Sequence, residues 1–295
     1  MDVKSVESMF QRVGLLVSKP REYLVKSFIP RNEVCNPFGR PDSFKGVSAA
    51  QLAVHIAGGV DFLGMEVKQG PSAYFAGERG EQAKRRIKGH MRRLGLPDSL
   101  PCYFGGKPIN LLSKADLDFL IANIRAIESD AGAALGFLVV DTQSRSMDGD
   151  ENSTKDGAAY AKAIEAIREA TEATLWIIAH TGHSEDAQDR PRGSSALLGA
   201  YDTFYRHKKI DERSGEIKIT TDRDSLGGKE LPFAVELYDT GAVNEDGEPV
   251  LIPYLEAAAA PAKFTFKKGD EPKRPTPGET LMLKALRAAV RKSDH

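Results

Sequence analysis

Apolar residues run without a break through 135–140 (LGFLVV) and 174–179 (TLWIIA), the pattern of strands buried on both faces. Between them Tyr160, Ile164 and Ile167 recur at i, i+4 and i+7, which predicts a helix with one face turned inward. Upstream, 72–76 is another short apolar run, and a helical stretch rich in Arg and Lys follows it. Strand and helix in alternation predict an α/β fold, a mainly parallel twisted sheet with helices on both faces. Further on, 216–221 (EIKITT) alternates apolar and polar residues, and 233–237 (FAVEL) follows a Gly-Gly turn. The sheet is therefore expected to end in antiparallel strands half exposed to water.

The pattern also divides the chain. Residues 1–30 read as an N-terminal arm, with Pro30 marking entry into the core, and 31–260 read as that core. Residues 261–295 read as a linker (267–279, KKGDEPKRPTPGE) and a short amphipathic helix at 280–291. No internal repeat is visible.

Composition narrows the function classes a little. The 41 basic and 42 acidic residues are mixed along the chain, so charge alone does not announce a nucleic-acid binder. Cys35 and Cys102 stand far apart and without CxxC spacing, which argues against a disulfide framework or a zinc knuckle. Charges interrupt the N-terminal stretch throughout, so a cytoplasmic protein without a membrane anchor is expected.

The strongest chemical signal is Gly39-Arg40-Pro41-Asp42-Ser43-Phe44-Lys45-Gly46, placed between an expected strand at 33–36 and an expected helix from about Val47. Gly39 and Lys45 have Walker A spacing. In such a loop, backbone N–H groups and a helix N-terminus face phosphates, and the lysine ammonium bridges the terminal ones. Phe44 replaces the second glycine, and Gly46 replaces the hydroxyl residue that would hold magnesium. The competing reading is a surface strand-turn-helix with no ligand.

Four further segments follow in an order that resembles the RepA-like ATPases of plasmid and phage replication, within the RecA/DnaB helicase superfamily. They are 48–87, with a strand ending near Glu78; LGFLVVDTQSRSMDGDEN, with Asp141; ATLWIIAHTGH, with His180; and RPRGSSALLGAYDTFYR. The resemblance covers about residues 24–240. It implies a RecA-like P-loop core that binds ATP and Mg2+, in which Lys45 contacts phosphates, Asp141 supports the metal, Glu78 activates water and His180 senses the γ-phosphate. Residue chemistry is compatible, because Asp141 and Glu78 both follow apolar strands, and strand carboxyl ends are where open α/β sheets bind ligands. Each acid could equally be an ordinary strand-end carboxylate, and His180 a hydrogen-bonded strand-end histidine. The HxxH pair His180/His183 lacks a third ligand of sensible spacing, so zinc is rejected.

The resemblance further implies a homo-oligomer, a hexameric ring, with Arg223 as an arginine finger for the neighbouring site. Family members carry two basic residues here, whereas this chain has Thr221 at the first position, and a solvated turn arginine is the alternative. Loops 144–156 and 182–195 would line the channel of such a ring, where Arg145, Arg190 and Arg192 could contact single-stranded DNA. Asp148, Asp150, Glu151, Glu185, Asp186 and Asp189 in the same loops weaken that argument. The expected function is a DNA helicase or DNA-remodelling motor in replication or recombination. The alternative is a catalytically weakened P-loop protein that binds nucleotide or DNA to assemble a complex. A small-molecule kinase is disfavoured for want of a recognisable acceptor or lid segment.

Overall fold

In the computed structural model of the chain, residues 14, 16–17, 20–182, 190–221 and 229–258 are described. Most of the expected N-terminal arm, the linker and C-terminal helix, Arg223, His183 and the acids Glu185, Asp186 and Asp189 lie outside the described residues.

The apolar runs form neighbouring central strands. Strand β6 (Phe137–Asp141) pairs in parallel with β7 (Thr174–Ile177), and β7 with β3 (Val34–Gly39). Their side chains alternate between two cores. Phe137, Val139, Trp176 and Ile178 face one, whereas Leu138, Val140, Leu175 and Ile177 face the other. Helices cover both. The first face carries α1 (Lys45–Gly58) and α2 (Gly80–Arg93); the second carries α3 (Lys114–Ala131), α4 (Thr154–Thr171) and the short α5 (Ser195–Leu198). Ser113 and Ser153 accept from the backbone N–H of Asp116 and Asp156, capping α3 and α4.

Outward from β6, the sheet continues in parallel through β4 (Ser72–Ala76) to β5 (Cys102–Gly105). On the other side, β3 pairs in parallel with β9 (Thr203–Asp211) and with the two-residue β8 (Ala179–His180). From β9 the sheet runs on antiparallel through β10 (Ser214–Thr221), β11 (Lys229–Val243) and β12 (Pro249–Ala257). The α/β class and the antiparallel finish agree with the sequence pattern. The chain thus forms an α/β RecA-like core.

Two features differ from the sequence reading. The core starts before residue 31: β1 (Tyr23–Val25) and β2 (Ile29–Pro30) pair antiparallel, and Leu24, Val25, Phe28 and Ile29 are buried. The ring of Phe28 lies on Phe62 and Tyr205, so its burial comes from residues far along the chain that a local pattern does not reveal. Neither β5 nor α3 is in the sequence reading; β5 is only partly buried at the sheet edge, so its composition carries little strand signal.

The antiparallel end also packs across the first helical layer. Gln51 on α1 both donates to and accepts from the buried backbone of Leu255 on β12, at 2.9 and 2.7 Å. A Cβ at Gly89 on α2 would meet the Ile252 side chain at 2.4 Å, so this glycine leaves room for Ile252 where α2 and β12 approach. No described helix is long and apolar enough to cross a membrane.

Candidate active site

Register brings the singled-out residues together. Gly39 pairs with His180 between β3 and β8, and Ala76 pairs with Asp141 between β4 and β6. All these strands are parallel, so their carboxyl ends open on one side. There Lys45, Glu78, Asp141 and His180 line a single cavity of about 490 Å³, within the usual size of a small-molecule site. Pro41, Ser43, Phe44 and Gly46 line it as well.

The loop after β3 is closely fitted. A Cβ at Gly39 would lie 2.4 Å from the His207 carbonyl oxygen and 2.6 Å from Ser43 Oγ, so only glycine fits. Lys45 is buried and its Nζ donates to the carbonyls of Gly39 and Arg40, at 2.9 and 2.7 Å, and to Ser43 Oγ at 3.3 Å. Burial pushes its ammonium down to about 8, against the opposing pull of Asp141, Asp42 and Glu78.

Phe44 holds the place of the second Walker A glycine, and it does so in the left-handed region, with φ 65° and ψ 11°. That conformation disfavours any side chain. Tertiary contacts hold it: the ring meets Phe233 of β11 edge-on at 5.9 Å, and Lys209 Nζ lies 5.8 Å from its centroid. The two effects can be separated by substitution. Phe44→Gly and Phe44→Ala both lose the ring, but only alanine keeps the strained backbone. The glycine variant is expected to be more stable by about 1 kcal/mol in urea unfolding. Equal stabilities would show that the backbone at 44 carries no strain.

The acids occupy different settings. Asp141 Oδ2 accepts from Tyr74 Oη at 2.6 Å, and burial raises the carboxyl above its ordinary range despite that bond. Glu78 Oε1 accepts from Arg145 Nε at 3.0 Å and from Thr142 Oγ1 at 3.4 Å, while its backbone N–H donates to the Asp141 carbonyl at 3.2 Å. Glu78 is thus the more accessible acid, oriented from two sides. His180 Nδ1 is buried without a hydrogen-bond partner, and burial, aided by Lys45, lowers its pKa. A neutral imidazole with an unused, buried nitrogen therefore stands on the cavity wall.

The donor set does not fit a magnesium ion gripped by the protein. Gly46 supplies no hydroxyl, and one of the two Asp141 oxygens is taken by a phenol. Among the described residues no three His, Cys, Asp or Glu side chains cluster as metal ligands. A cation of another kind stands there: Arg86 Nη1 lies 3.1 Å from where a Gly46 Cβ would be. Sequence reasoning missed it, although the signal was available. Arg79, Gln82, Ala83 and Arg86 all line the cavity at i, i+3, i+4 and i+7, one face of the basic helix α2.

The loop arginines are placed less simply than expected. Arg145 is exposed, but its guanidinium is paired with Glu78. Arg192 approaches Glu151 at 3.5 Å, and its backbone N–H donates to the His180 carbonyl. Arg190 is exposed.

The family model described as an AAA domain matches residues 13–186 of the chain. No curated protein matches the chain.

Proposed function

The chain belongs to the AAA-domain family of P-loop ATPases, and from that premise we propose that it hydrolyses ATP to drive a DNA helicase or DNA-remodelling motor of the RepA-like kind. The observation that carries the reading is the meeting of Lys45, Glu78, Asp141 and His180 in one cavity at the strand ends. In it, Lys45 binds the terminal phosphates and Glu78 takes the proton of a water whose oxygen attacks the γ-phosphorus. The bond from that phosphorus to the bridging oxygen breaks, releasing ADP and phosphate. His180, beside Gly39, contacts the γ-phosphate region and registers its loss. A homo-oligomeric ring with Arg223 reaching a neighbour's site, and single-stranded DNA on Arg145, Arg190 and Arg192, complete the proposal.

Steady-state hydrolysis with and without single-stranded DNA tests it. Turnover that DNA stimulates, and that Lys45→Ala abolishes, is the expected result. An inert natural protein that still binds ATP would instead support the second reading, a nucleotide-binding assembly factor, which Gly46 favours.

Lys45 also sets a pH dependence. Its folded pKa of about 8 lies below the ordinary 10.5, so above pH 8 a growing share of the protein carries a neutral amine. ATP affinity is expected to fall between pH 7 and pH 9, by up to about tenfold for each pH unit above the folded value. Nucleotide titration at several pH values reads this directly, and a flat profile would mean that Lys45 does not bind phosphate as an ammonium. The stability of the free protein moves the other way. Between 8 and 10.5 the unfolded chain holds the extra proton, so this group's contribution rises with pH.

A further inference from the structure

Gly46 is a puzzle if considered alone, because a phosphate loop without its hydroxyl loses a metal ligand. It is no puzzle beside Arg86. A guanidinium nitrogen sits 3.1 Å from the point where any side chain at 46 would begin, so a serine or threonine there would make the tip of Arg86 shift by a few tenths of an ångström. With glycine at 46 the cation lies close against the loop backbone without that shift.

Arg86 feels the field of Asp141 but is bonded to no carboxylate among the described residues. It lies partly buried on the cavity wall and makes no hydrogen bond or ion pair with any described residue. Asp141, which with Tyr74 supplies the opposing field, has its Oδ2 engaged by the Tyr74 hydroxyl. The desolvation of Arg86 outweighs the pull of both groups and lowers its pKa. Lys45 differs, since its ammonium is turned onto loop carbonyls. Unpaired cations in a cavity call for an anion, and the planar fork of a guanidinium matches two phosphate oxygens at once.

We propose that Arg86 takes the place of the loop hydroxyl and its metal ion, so that this chain binds nucleoside triphosphate without needing a divalent cation. The inference rests on the reading of the cavity as a triphosphate site. Arg86 would contact the oxygens nearest Gly46 and supply there the charge that magnesium supplies in loops bearing a hydroxyl.

Equilibrium titration of the full chain with ATP, in excess EDTA and in magnesium, tests this. The natural protein is expected to bind within about threefold in the two conditions. Arg86→Gln is expected to lose about tenfold or more in EDTA, the loss of charge-assisted hydrogen bonds, and Arg86→Lys to recover part of it. Adding Gly46→Ser to Arg86→Gln should restore binding in magnesium and not in EDTA. Thermal unfolding of each variant identifies any that fail to fold, and Arg86→Lys then carries the comparison. Binding by the natural protein that needs magnesium, yet is abolished by Lys45→Ala, would overturn the role of Arg86 and keep the triphosphate site. Unchanged binding by Arg86→Gln in EDTA would overturn it as well. No binding by the folded natural protein in either condition would overturn both.

Discussion

Replacing Glu78 with Gln is expected to lower the rate of ATP hydrolysis by about 10²–10⁴-fold and to leave nucleotide affinity within about threefold. The asymmetry follows from what Glu78 touches. It lines the cavity but holds no phosphate-binding donor, and its side chain is bonded to Thr142 and the Arg145 guanidinium. Glutamine keeps the shape and one accepting oxygen, so Thr142 and Arg145 retain a partner. Only basicity goes, and with it the acceptor for the proton of the attacking water. Asp141 is set apart from this role, because Tyr74 occupies one of its oxygens. Paired measurements of turnover and equilibrium binding decide the matter. A variant that hydrolyses ATP at the natural rate would remove Glu78 from the chemistry, whereas a parallel loss of affinity would make it a binding residue.

Trp176→Ala is expected to destabilise the fold by about 3–5 kcal/mol, a large fraction of the roughly 5–15 kcal/mol that holds a typical domain together. Trp176 is fully buried on β7, in the middle of the sheet. Its ring lies 4.5 Å from Tyr205, 6.0 Å from Phe137 and 6.4 Å from Phe28, so truncation opens a cavity where three strands and the N-terminal hairpin meet. The indole Nε1 is buried without a partner, and removing that unmet donor offsets part of the loss. The expected value is therefore near the low end. Urea unfolding monitored by circular dichroism supplies the number, and a loss below about 1 kcal/mol would mean that this cluster does not hold the sheet to the hairpin.

What the sequence reveals here is set by how local each signal is. LGFLVV and TLWIIA announce themselves because strands buried on both sides need apolar residues at every position. Residues at their carboxyl ends, Asp141 and His180, are legible for the same reason. Burial of Leu24, Val25, Phe28 and Ile29 was not legible, since it depends on Phe62 and Tyr205, rings that arrive from the segment after α1 and from β9. Arg86 falls between these cases. Its helix reads as basic, and the i, i+3, i+4, i+7 spacing to Arg79 was present. Nothing in the chain's pattern, however, says which face of α2 turns toward the loop, because that depends on packing against α1 and β12.

The clamp on Phe44 has a consequence for the motion of the phosphate loop. Glycine at this position samples many backbone conformations, and an arriving anion must freeze them out. With a phenylalanine ring held against Phe233, most of that freedom is already gone in the folded chain. The backbone N–H groups before Lys45 are thereby ordered in advance, and the entropy that a flexible loop would surrender on binding has been surrendered on folding instead.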